Sequence, residues 1–218
     1  MDVLAQDLQE VNTSVMRMLS LVREQCELAQ KALIDLDLEA AHQCIANDEQ
    51  VDELLSNLEM RILTIIARRQ PAAKDLRFLG AMNRAIVDIE RAGDYAVHVA
   101  RIGTELSQKP PLKKYTDIQR ILEVLNAMIE MTVNALVEGS TEKAKTAHGM
   151  DKEIDDLYEQ IQRELLTYMM EKPDTITTAT KLLTTARYLE RLGDHIENVN
   201  EHIFFWVTGE RKSHLVNA

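Results

Sequence analysis

Four pairs of acidic residues, each at i, i+4 spacing, are the groups in this sequence best placed to do chemistry: Asp48 with Asp52, Glu90 with Asp94, Asp151 with Asp155, and Glu190 with Asp194. On a helix that spacing puts both carboxylates of a pair on one face. Carboxylates brought close together raise one another's pKa or require a counter-cation. Oxygen-rich clusters on helix faces are how helical bundles build carboxylate-bridged metal sites. Hard or borderline ions suit such ligands, including magnesium, calcium, manganese and iron. The competing reading is a set of solvated acidic faces, since charged helix faces usually serve solubility.

Counting from the nearest proline favours the cluster. Asp52 lies 19 residues before Pro71 and Glu90 lies 19 after it; Asp48 and Asp94 lie 23 before and 23 after. In an antiparallel hairpin Asp52 is then level with Glu90, and Asp48 with Asp94. From Pro173 the counts are 18 and 22 before, 17 and 21 after. The two agree within one residue, about 1.5 Å of helical rise. The motifs also repeat. Asp48-Glu-Gln-Val-Asp52-Glu-Leu54 aligns with Asp151-Lys-Glu-Ile-Asp155-Asp-Leu157 at an offset of 103, and Glu90-Arg-Ala-Gly-Asp94 aligns with Glu190-Arg-Leu-Gly-Asp194 at an offset of 100. Duplication fixes an architecture without saying what the motifs do.

The elements that must position these acids are long helices. Leu8, Val11, Val15, Met18 and Val22 recur at three- and four-residue steps, the apolar face of a first helix. A second runs from beyond Asp37 to about Arg69, where Gln70-Pro71 ends it. A third covers about Asp75 to Leu106, and Ser107 to Pro111 reads as a linker. Helices over about Thr116–Val137, Thr141–Met170 and from beyond Pro173 to Val207 repeat the plan. The expected fold is all-α: two tandem, sequence-related three-helix bundles of six long helices, over residues 1–108 and 112–208, with a tail at 209–218.

Composition agrees and excludes alternatives. Aromatics are 4% of 218 residues, with 7 Gly and 4 Pro, too few for a sheet protein rich in turns. A formal net charge of -11 repels nucleic-acid phosphates and suits cations or basic protein patches. Cys26 and Cys44 form no CxxC and read as reduced, structural thiols of a cytoplasmic protein. Charged and polar residues interrupt Met1 to Gln9, so no secretory leader is expected there. No apolar run reaches the roughly 18 residues of a membrane helix, so membrane contact is expected only through partners.

Around the acids, Gly93 and Gly193 precede the second carboxylate of their pairs. Glycine inside a helix costs about 1 kcal/mol relative to alanine. Its presence signals either room for an ion or a close helix approach. His98, four after Asp94, is a candidate nitrogen ligand; its counterpart is Asn198, with Glu197 beside it as another oxygen donor. His195 and His202 read as surface residues near the second motif. His202-Ile-Phe-Phe-Trp-Val207 holds three of the nine aromatics, either a core cap or a partner anchor.

Gln70-Pro-Ala-Ala-Lys-Asp-Leu-Arg77 followed by Asp88-Ile-Glu-Arg-Ala-Gly-Asp94 closely resembles the PhoU family, bacterial accessory proteins of phosphate transport and signalling, and Ala186 to His195 is similar to that family's second motif. The resemblance covers nearly the whole chain. It implies two three-helix bundles and metal ions held by E/D-x-x-x-D motifs, here Asp48, Asp52, Glu90, Asp94, Asp151, Asp155, Glu190 and Asp194. The expected cofactor is a divalent or trivalent ion: iron, manganese, magnesium or zinc. The resemblance further implies a non-catalytic negative regulator of the phosphate response. Its implied partners are the ATPase subunit of a phosphate ABC transporter and a phosphate sensor histidine kinase. A homodimer or higher oligomer is expected, cytoplasmic and peripheral at the inner membrane through its partners. Ala92 departs from the larger aliphatic residue of many relatives.

Three other readings stay open. A di-metal carboxylate enzyme of the ferritin-like type needs paired Glu-x-x-His motifs, and only Glu39-Ala-Ala-His42 fits. A metal-free helical adaptor would use the same acidic patches to dock basic partners. A phosphotransfer bundle would need an exposed acceptor histidine. Phosphate-loop and nucleophile-elbow patterns are absent.

Overall fold

The computed structural model describes residues 3–108 and 111–210. Six helices carry the chain: α1 (Val3–Ile34), α2 (Leu38–Arg69), α3 (Ala73–Leu106), α4 (Thr116–Glu138), α5 (Thr141–Glu171) and α6 (Ile176–Thr208). A 3₁₀ turn, Pro173–Thr175, leads into α6. There is no strand among the described residues. The bounds fall within about two residues of the expected ones, except that Lys109, Pro110 and most of the expected tail lie outside the described residues.

The helix ends follow local chemistry. Asp37 caps α2, its side chain accepting hydrogen bonds from the backbone N–H groups of Glu39 and Ala40. Ser140 caps α5 in the same way from Lys143 N. Gln70 closes α2 in the left-handed conformation at φ 48°, and Pro71 prevents continuation. Gly139 and Gly209 close α4 and α6 at φ 58° and 80°, where glycine carries no Cβ penalty.

Within each half the three helices pack on one another, α1–α2–α3 and α4–α5–α6. The halves are then joined by α3 against α6 and by α1 against α4, so one continuous apolar core runs through both. The α3–α6 contact is the seam of the molecule. Ala81, Ala85, Ala92, Gly93, Ala96, Ala100 and Gly103 are buried along α3, and such small side chains let helix axes approach closely. At Gly103 an added Cβ would lie 2.8 Å from the Ala32 backbone carbonyl, so α1 passes close over α3 there.

The aromatic segment at the end of α6 is spent on packing. Ile203 and Phe204 are buried, and the Trp206 ring meets Phe78 of α3 edge-on at 5.0 Å between centroids. Cys26 and Cys44 are buried free thiols, and burial pushes both thiol pKa values up, Cys44 to about 12. Among the described residues no helix is long and apolar enough to cross a membrane.

Candidate metal centre

In the first half, α2 supplies Asp48 and Asp52, and α3 supplies Glu90 and Asp94. Burial, then the charges of Asp94 and Asp52, raise the Asp48 carboxyl above its ordinary range, against a hydrogen bond donated by Gln25 Nε2 at 3.2 Å and the charge of Arg101. Glu90 is likewise raised, by burial first and then by Asp94, Asp52 and Asp48, with Arg91 opposing. The α2 and α3 acids therefore lie near enough to act on one another, and Asp94 is the acid that weighs most on Asp48. Arg91 lies back along its own helix, 3.5 Å from Glu90 and 3.4 Å from Asp94.

The second half repeats this with α5 and α6, and is more acidic. Asp151 is only 6% exposed. Burial, followed by the charges of Glu197, Asp155, Asp194 and Glu190, pushes its carboxyl up to about 7. Asp155 is raised by burial, Asp194 and Glu197, and Glu190 by burial and Asp194. Arg191 Nη1 bonds Asp194 at 2.9 Å. Ligand atoms of Asp151, Asp194 and Glu197 all lie within 4.8 Å of one another, and so do those of His148, Glu197 and Glu201.

An ion fits the donors of the second half. Asp151 Oδ1 is buried and has no hydrogen-bond partner among the described residues. A buried carboxylate without a partner is costly, and a cation removes that cost. The space is kept by Gly193, where a Cβ would stand 2.6 Å from Asp151 Oδ1. Gly93 does the corresponding service in the first half, but there the gap faces Gln25 Oε1 at 2.8 Å. Glycine at these positions thus makes room for a polar group of the neighbouring helix.

The four motif acids of each half act on one another through their charges, but among the described residues only Asp151 and Asp194 of the eight join a trio of donor atoms within 4.8 Å of one another. His98 joins neither trio. Its Nδ1 lies 2.6 Å from the Asp94 backbone oxygen, and its ring packs across the seam on Tyr188 at 5.1 Å. His195 and His202, expected at the surface, are instead half-buried and hold Asp88 of α3, with His195 Nδ1 at 2.9 Å and His202 Nε2 at 3.0 Å. Burial opposes the charge of Asp88, but these hydrogen bonds outweigh it and lower the carboxyl to about 2. Glu39 and His42 sit exposed at the start of α2, away from both acidic groups. Gln25, Arg101, His148 and Glu201 are the functional neighbours that spacing of acidic pairs misses. His148 lies three before Asp151 and Glu201 four after Glu197, so a search at i, i+3 and i, i+4 for any donor type reaches both.

The PhoU domain pattern matches the chain twice, over residues 15–103 and 118–203, each match spanning one acidic group. The chain belongs to the PhoU family. A PhoU homologue of Deinococcus radiodurans, described as a phosphate-specific transport system accessory protein, is 41% identical over 97% of this chain and 99% of its own. The PhoU accessory protein of Escherichia coli is 31% identical over 96% of this chain and 87% of its own. The crystal structure of PhoU from Pseudomonas aeruginosa superposes with a TM-score of 0.91 at 33% identity, covering 94% of this chain and 99% of that one. The PhoU fold, two tandem helical bundles, is therefore the fold of this chain.

Proposed function

We propose that this chain is a metal-binding accessory of phosphate uptake and a negative regulator of the phosphate-starvation response. It works by contact with the ATPase subunit of a phosphate ABC transporter and with a sensor histidine kinase, catalysing no reaction of its own. Membership of the PhoU family, whose relatives are described as phosphate transport accessory proteins, supports the role. The observation that carries the metal component is the duplicated acidic group containing a buried, unpartnered Asp151 oxygen. In this reading Asp48, Asp52, Glu90 and Asp94 hold ions in one half, and Asp151, Asp155, Glu190 and Asp194 in the other. Iron, manganese, magnesium and zinc all suit the oxygen donors. The bound charge then sets the electrostatics of the face offered to partners. The chain acts in the cytoplasm as a homodimer or higher oligomer, reaching the inner membrane through its partners.

Elemental analysis of protein purified without chelator tests the metal, and a pull-down against the two partners tests the role. Ions are expected to survive gel filtration and to be reduced by Glu90→Ala with Asp94→Ala. Absence of bound metal under every loading condition replaces this reading with the metal-free adaptor.

A further inference from the structure

The two halves differ at three positions that flank the acids. At the offsets that align the motifs, His148 corresponds to Ile45, Glu197 to Val97 and Glu201 to Arg101. In the first half the Arg101 charge acts on Asp48, and the buried Gln25 donates a hydrogen bond to it. The first acidic group is thus partly compensated by its own chain. The second half keeps the Arg191 contacts to Glu190 and Asp194 but has no counterpart of Arg101 or Gln25. Leu125 stands where Val22 does beside the glycine, and Met128 takes the position of Gln25. Two further carboxylates and an imidazole replace two aliphatic residues and a cation. Among the described residues, both trios of closely spaced donor atoms lie in the second half, and Glu197 belongs to both. His148 Nδ1 is 2.8 Å from Glu197 Oε1, so imidazole and bridging carboxylate already converge.

We propose that the second half carries an additional ion position made by His148, Glu197 and Glu201, coupled through Glu197 to the Asp151–Asp194 position, and that it selects a borderline transition ion over Mg²⁺. The inference rests on the metal-binding reading above. Asp151, nearly fully buried with an unpartnered oxygen and converging with Asp194 and Glu197, is the independent sign that this end of the bundle is built for a cation. Nitrogen ligation sets the ion class, because imidazole suits zinc, manganese or iron, whereas Mg²⁺ prefers oxygen and keeps its waters. The first half, having Arg101 in place of Glu201, binds ions more weakly and through oxygen alone.

The test uses the full chain freed of metal by dialysis against chelator. Calorimetric titration with ZnCl₂ and MgCl₂ is compared between the wild type, His148→Gln, Glu201→Gln and the first-half variant Glu90→Gln with Asp94→Asn. His148→Gln is expected to weaken the tightest Zn²⁺ site by about tenfold or more, since even outer-shell losses cost 10- to 100-fold, with Mg²⁺ binding unchanged. The first-half variant is expected to leave that tightest site alone. Pulsed EPR of the Mn²⁺-loaded wild type is expected to show ¹⁴N modulation from imidazole, and this needs no variant to fold. Retained Zn²⁺ affinity in His148→Gln, or Mn²⁺ bound without ¹⁴N modulation, overturns the histidine position and leaves the carboxylate sites standing. A wild type that takes up none of the three ions overturns both.

Discussion

At the residue scale, Asp151 links the acidic group to stability. Its folded carboxyl titrates near 7, well above the ordinary range. A raised folded pKa means that the protonated form is the favoured one in the fold. Its stabilising contribution is complete below the unfolded value of about 3.9 and is lost as pH rises through 7. Metal-free protein is therefore expected to melt lower at pH 8 than at pH 5.5. Asp151→Asn should flatten this dependence and raise the midpoint at pH 8 by roughly 2–8 °C, since 1–2 kcal/mol moves a chain of this size by that much. Saturating Zn²⁺ should reverse the sign for the wild type, because a cation favours the ionised carboxylate; thermal unfolding with and without metal checks both. Gly193→Ala puts a methyl group 2.6 Å from Asp151 Oδ1. That substitution is expected to lower ion occupancy in elemental analysis, with helix content by circular dichroism retained. The sequence made the carboxylates visible because acids at i, i+4 must share a helix face. It hid His148 and Glu201 because each is a single donor with no repeat partner: Ile45 and Arg101 stand at the matching positions.

At the scale of elements, the helices were legible to within a turn. Three- and four-residue apolar steps mark the buried stripes, and Pro71 and Pro173 stop the chain where helical hydrogen bonding fails. The glycines separate two kinds of position. Gly103 sits under the Ala32 backbone, which cannot give way. Gly103→Ala should therefore cost about 1–3 kcal/mol through overpacking at the α1–α3 crossing. Gly80 and Gly149 have nothing within 4 Å of an added Cβ and lie inside helices. Alanine at either should stabilise by about 0.5–1 kcal/mol from lower backbone entropy in the unfolded chain. Urea unfolding of the three variants checks both signs in one experiment. Composition alone gives all three glycines the same reading; only the neighbouring helix distinguishes them.

At the scale of the molecule, the α3–α6 seam decides how the halves sit together, and it was the least legible part. Periodicity tells which face of a helix is buried, but not whether its partner is in the same bundle or the other one. Asp88 shows the consequence: it reads as one more acid near a motif, yet it is the charge that His195, His202 and Asn198 of the other half converge on. Its depressed carboxyl contributes stability above the ordinary carboxylate range, and that contribution is lost as pH falls toward 2. Asp88→Asn is expected to destabilise the chain by about 1.5–3 kcal/mol near pH 6, the range for hydrogen bonds to a charged group. The penalty should shrink at pH 3 and below. Faster amide exchange along α3 and α6 than in α2 and α5 would locate the damage at the seam; uniform loosening would not.

Tyr95 and His195, one hundred positions apart, stack on each other at 5.8 Å, while Asp88 reaches Asn198 on one flank and Tyr188 reaches His98 on the other. These are the same two contacts related by a pseudo-dyad. Had the repeats been separate, identical subunits, that axis would have set the residue at the Tyr95/His195 position against its own copy and made both flanks alike. Joined in one polypeptide, the flanks are free to diverge, and here one is ionic while the other is aromatic. Tandem fusion has thus turned a symmetric dimer geometry into a polar object with two inequivalent ends.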